Sequence, residues 1–246
     1  MNITALRRHP LTAAALGGFL IFLIRSQLYR VGFDDRGILS ASHPLHLISL
    51  VLAAAMALYL IRASRREFSG GASLARFLTG LVGCYLLLLH GLNLFRELNG
   101  PLSLLRFALA IGAAIAMAVC VFPVEKRNFI TASCLGLVCI HYGMDMLCRY
   151  RIWSGNPQLP DYCLHVLCAV ALSMGTYHAL ALYTDLAKPR QHRFFCLAAL
   201  YLSLACLVGP ERWEFYLSGA FWAVACLMLP GPSQEEDPEE DADVSA

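Results

Sequence analysis

LSLLRFALAIGAAIAMAVCVF, residues 102–122, carries one charged side chain, Arg106, and from Phe107 onward no polar side chain at all. A helix on the surface of a soluble protein interrupts its apolar face with polar residues every turn or two. This stretch does not, and its length matches the roughly 20 apolar residues needed to cross a hydrocarbon core about 30 Å thick. Seven further segments share the pattern fully or nearly: 11–28, 44–61, 74–94, 129–147, 162–182, 194–208 and 215–229. The whole chain of 246 residues is 58% hydrophobic and 15% charged, with a mean hydropathy of +0.59. Soluble chains average about 45–50% apolar and about 25% charged, so the solvent expected for this chain is lipid.

In lipid only helices and closed barrels satisfy every backbone group, and the alternating ten-residue pattern of barrel strands is missing. The expected fold is therefore all-α: a polytopic transmembrane helix bundle of about eight helices arranged as four hairpins. It occupies residues 1–230, and residues 231–246 form an acidic disordered tail. The last two segments are short and hinged at Gly209-Pro210-Glu211-Arg212-Trp213, so a re-entrant hairpin stands as an alternative to two crossings. Arg7-Arg8 before the first run resembles the start of a signal peptide. No small-x-small cleavage site precedes Arg25, so a retained signal anchor is expected.

Charge sets the orientation. With the N-terminus inside, cytoplasmic segments hold eleven Lys and Arg, including the clusters Arg62–Arg66 and Lys188–Arg193, against eight on the other side. By the positive-inside rule both termini are expected in the cytoplasm. The tail carries seven acids (Glu235, Glu236, Asp237, Glu239, Glu240, Asp241, Asp243) and no base. Its composition predicts disorder and leaves room for a cytoplasmic protein partner. No basic run is interleaved with exposed aromatics, which excludes a nucleic-acid partner. The ten cysteines fall in or beside apolar segments without a CxxC pair, as packing residues do.

Two small-residue stripes, Ala108/Gly112/Ala116 and Ala13/Gly17 with Ala14/Gly18, predict close helix approach. Polar residues are distributed unevenly. The ends of odd helices and the starts of even ones, which face one side, collect Arg25, Gln27, His43, His46, His90, Asn93, Glu97, Arg106, His141, Asp145, Arg149, Asp161 and His165. In the opposite halves His178 is the main polar residue. Ionisable side chains in membrane spans are costly and tend to mark sites. At about 100° per residue, Cys134, His141, Asp145, Cys148 and Arg149 share an arc of about 100° on the fifth helix. His90, Asn93 and Glu97 do the same on the third, and Asp161, His165 and Cys168 on the sixth. Asp145 and His165 lie at similar depth, about 6–7 Å below the helix ends, where they could meet.

The substrate-binding candidates are thus His90, Glu97, His141, Asp145, Arg149 and His165. They point to a small permease or membrane-embedded substrate-binding subunit for an anionic or zwitterionic solute, with its pocket in the outer half of the bundle. Arg25, Arg106 and Arg149 would attract the solute, and His141 with Asp145 would couple protons. An intramembrane metal-dependent hydrolase or transferase could use the same imidazoles and carboxylates. A non-catalytic membrane sensor or assembly factor acting through the tail is the third class. The structural alternative is an i,i+4 ion pair between Asp145 and Arg149, with histidines bonded across helices. No HExxH, GxSxG or phosphate-binding loop appears. His43, before Pro44, is expected to cap the second helix.

Overall fold

Proline opens four of the helices and explains where they start: its missing N–H is not needed in the first turn. The computed structural model describes residues 9–32, 43–65, 73–122, 129–153, 159–184, 186, 188–208 and 212–229. Among them are eight helices and no strands: α1 (Pro10–Val31), α2 (Pro44–Ala63), α3 (Ser73–Phe95), α4 (Pro101–Val121), α5 (Phe129–Trp153), α6 (Leu159–Ala181), α7 (Pro189–Ala205) and α8 (Trp213–Leu227). His43 caps α2 as expected, its Nδ1 accepting from the Leu45 amide at 3.3 Å. Gly100, at φ 151°, takes a backbone conformation that favours glycine, just before the proline that opens α4. The acidic tail, the hinge residues 209–211 and several basic loop residues (Arg7, Arg8, Arg36, Arg66, Lys126 and Arg127) lie outside the described residues.

Consecutive helices pair as four hairpins: α1 with α2, α3 with α4, α5 with α6, and α7 with α8. Helices α3 to α8 pack in chain order, and α8 closes the ring against α3 while also touching α6. Helix α1 lies against α7, and α2 leans on α1 with a lighter contact to α7. Large apolar side chains such as Phe19, Leu50, Leu58, Tyr85, Ile115 and Ile140 face outward. An apolar outer surface of that kind suits lipid and not water. Six helices, α1 to α6, are long and apolar enough to cross a membrane, as in a multi-pass integral membrane protein.

The last two helices are the short pair that the sequence predicts. Helix α7 has 17 residues and α8 only 15. Helix α8 is nonetheless the most enclosed, because it is walled by α3, α6 and α7, and its continuous hydrophobicity reflects burial on all sides. It runs antiparallel to α7 through the bundle. Trp222 Nε1 donates to Thr176 Oγ1 at 3.0 Å midway, and His192 Nε2, in the first turn of α7, donates to the Cys226 carbonyl at 3.1 Å near the end of α8.

Close approach uses small residues, partly not those of the expected stripe on α4. Ala108 is exposed, Gly112 is half-buried, and Ala116 is buried together with Ala110, Ala113, Ala114 and Met117. Helix α3 meets this face, where Cys84 Sγ donates to the Ala114 carbonyl at 3.1 Å. On α1 the expectation holds, since a Cβ on Gly18 would stand 2.8 Å from the Tyr201 carbonyl oxygen of α7. Helices α3 and α8 meet at Gly83, whose carbonyl accepts from Ser218 Oγ at 2.7 Å.

Candidate functional site

The centre of the polar layer is Asp145 on α5, two turns from the end of the helix. Helix α5 continues to Trp153, six residues beyond the expected boundary, so Asp145 and Arg149 both sit inside regular helix. Their i,i+4 spacing puts them on one face, and Arg149 Nε donates to Asp145 Oδ2. The second carboxylate oxygen accepts from a neighbouring helix: Arg106 Nη2 of α4 at 2.7 Å and its Nε at 3.2 Å. One carboxylate is therefore shared by two guanidiniums. Asp145 and Arg149 are at most 3% exposed, whereas the side chain of Arg106 is 17% exposed. Both Arg106 donors converge on one carboxylate oxygen, a charge-assisted contact that joins α4 to α5.

From Arg149 the network continues to α8 and α6. Arg149 Nη1 donates to the Tyr216 hydroxyl at 3.2 Å, and that hydroxyl lies 2.6 Å from His165 Nδ1. A guanidinium can only donate, so the Tyr216 oxygen accepts from Arg149, and the same hydroxyl shares a hydrogen bond with His165 Nδ1. Asp145 and His165, expected to meet, are thus connected through Arg149 and Tyr216 and not directly. The ring of Phe215 fills the space between them. The Arg149 guanidinium stands 4.5 Å above it, and the rings of His90, Tyr142 and His141 lie 5.3, 5.6 and 6.1 Å from its centre.

The imidazoles divide by what they reach. Both ring nitrogens of His90, and Nε2 of His141, have no hydrogen-bond partner among the described residues, although both side chains are buried. Each lies within electrostatic range of Asp145, Arg149 and Arg106. His141 also lines a narrow crevice with Arg106 and Asp145. Buried polar atoms nearly always find a partner, so the two imidazoles are the part of the layer equipped to receive one. Arg25 on α1 is buried beyond His165, with its guanidinium 5.8 Å from the Tyr29 ring centre.

Of the six candidates, five come together: His90, His141, Asp145, Arg149 and His165. Glu97 does not. It lies exposed at the end of the bundle and pairs with Arg212, because α3 ends at Phe95 and the chain turns away before its carboxylate can reach the layer. The side chain of Asp161 lies outside the described residues. Cys168 contacts Ser203 Oγ at 3.3 Å. His178, at the opposite end, stacks on Phe195 with ring centres 5.4 Å apart.

Sequence reasoning missed the contribution of α8. Phe215 and Tyr216 close the network, and Glu214 accepts from Asn93 Nδ2 at 2.9 Å. The signal was present: the start of α8 faces the same side as the starts of α4 and α6, and Glu214 is the acid nearest to it inside an apolar run. Among the described residues no three His, Cys, Asp or Glu side chains gather as a metal-binding group. The imidazoles instead face an aromatic ring and guanidiniums.

In comparisons with known proteins, no protein family, no curated protein and no solved structure matches the chain. The fold supports the broad conclusion: this is a multi-pass membrane protein, all-helical among its described residues, with a buried polar layer at one end of the bundle.

Proposed function

We propose that the chain is a small permease or membrane-embedded substrate-binding subunit for an anionic or zwitterionic solute, received at Arg106. The observation that carries this reading is the shared carboxylate. Arg106 holds Asp145 from a different helix, in a narrow crevice that the buried His141 also lines, while Arg149 holds the same carboxylate from within. An anionic group arriving at Arg106 replaces Asp145 there without leaving Asp145 unpaired. The exchange unlinks α4 from α5, so binding and helix movement become one event. Low-dielectric surroundings strengthen the attraction between the guanidinium and the solute, and the imidazoles of His90 and His141, whose buried nitrogens lack partners among the described residues, are placed to hydrogen-bond it. With both termini on the cytoplasmic side, as the loop charges suggest, the crevice faces outward.

The test is a thermal-unfolding screen of the protein in nanodiscs against a panel of carboxylates, phosphates and amino acids. One chemical class is expected to stabilise the protein, by about 2.7 kcal/mol at a hundredfold excess over its Kd. Arg106→Gln, which leaves the Asp145–Arg149 pair in place, is expected to abolish that stabilisation while remaining folded. A panel without effect on the native chain, or an equal response from Arg106→Gln, counts against the reading.

A further inference from the structure

A second feature lies on the lipid-facing side of the bundle, away from the polar layer. Helix α2 is buried at Ser49 and at its last turn, where Leu60, Ala63 and Ser64 are enclosed, while most of the helix faces outward. Arg193 Nε donates to the Ser64 carbonyl at 3.1 Å and pins that end. Above the pin, α2 stands off from α6 and α7 and leaves an apolar groove of about 290 Å³, lined by Ala53, Ala57, Leu167, Val170, Phe194 and Ala198 among others. The alanines, one helical turn apart on α2 and opposed by Ala198 on α7, are what open it.

Length and rim charge point to the occupant. Along α7 the groove extends from Phe194 to Leu202, about 12 Å of helix, close to the ~15 Å depth of one leaflet's hydrocarbon. Its lining is almost wholly apolar and open on the lipid side, a surface that a hydrocarbon chain covers. Among the described residues the charge at the pinned end is one-sided. Arg62 and Arg65, two residues before and one after Ser64, and Lys188 and Arg190, just before Arg193, are all exposed. The nearest acids in sequence, Glu67 and Asp185, lie outside the described residues. A cationic rim at the end of an apolar groove complements an anionic phospholipid, with phosphate on the rim and acyl chain in the groove.

We infer that the groove between α2, α6 and α7 retains one anionic phospholipid, with an acyl chain lying along Ala53, Ala57 and Ala198 and its phosphate on Arg62, Arg65, Lys188 and Arg190. The site is independent of the solute reading at Arg106. Anionic lipids are concentrated in the cytoplasmic leaflet, the side on which loop charge places this rim.

The experiment uses the full chain in nanodiscs of equal phosphatidylglycerol and phosphatidylcholine, with retained lipid counted by native mass spectrometry after mild detergent extraction. The expected result is one phosphatidylglycerol per chain, retained in preference to phosphatidylcholine. Ala57→Phe, at an exposed position, puts a ring into the groove and is expected to remove the bound lipid without loss of helical circular dichroism. Arg62→Gln with Arg190→Gln leaves the groove open and is expected to weaken the preference about 30-fold. Equal retention of both lipids, undiminished retention by Ala57→Phe, or a dimer of the native chain that Ala57→Phe dissociates would overturn the inference.

Discussion

Asp145→Ala lowers the stability of the protein by about 3–5 kcal/mol, the cost of stranding a buried charge after its partner is removed. The loss falls at the upper end of that range because two guanidiniums lose the same carboxylate. Arg149 cannot turn to water: it is buried, and on its other side it is held by Tyr216 and the face of Phe215. Arg106, partly exposed, can. Asp145→Asn keeps an acceptor oxygen toward Arg106 and loses the charge, so its effect is smaller. The measurement is thermal unfolding in one detergent for the native chain and both variants. Asp145→Ala unfolding within 1 kcal/mol of the native protein would show that the carboxylate does not hold the arginines in place.

The second large effect is expected at Phe215. Its ring is 1% exposed and forms the common wall of His90, His141, Tyr142 and Arg149, with Tyr216 packed edge-on at 5.2 Å. Phe215→Ala removes that wall and is expected to cost about 3–5 kcal/mol, as for large-to-small changes in close-packed cores. Part of the cost is electrostatic, since the guanidinium of Arg149 loses the ring face beneath it. Phe215→Leu, which keeps most of the volume and loses the π face, is expected to cost less than half as much. Equal losses for Phe215→Ala and Phe215→Leu would place the whole effect in the aromatic face and none in the volume.

The fold class was legible because lipid imposes a blunt constraint, and residues 102–122 satisfy it without any help from tertiary structure. Helix α8 was harder. Its 15 residues look like a weak span, yet it is largely buried and closes the ring between α7 and α3, and nothing in a hydrophobic run distinguishes contact with lipid from contact with protein. The same ambiguity explains Ala108: periodicity identified a small-residue face on α4 but not which way that face turned.

The polar layer was legible where helical spacing alone decides. Asp145 and Arg149 share a face at i,i+4 and are paired. Where a residue lies past its helix end, spacing fails: Glu97 continues the face of His90 on paper, but α3 stops two residues earlier and its carboxylate goes to Arg212. Links between helices were not legible. Arg106 reaching Asp145 and Tyr216 bridging Arg149 to His165 depend on which helices are neighbours, and that order comes from the packing of the bundle.

The most direct test of the permease reading is an efflux measurement on proteoliposomes loaded with a mixture of small organic and inorganic anions, with the retained solutes followed by mass spectrometry. Vesicles holding the native chain are expected to lose one anion class faster than protein-free vesicles, and vesicles holding folded Arg106→Gln are expected to retain it. Identical retention with and without the native chain, in protein whose unfolding temperature shows the polar layer intact, would contradict the account.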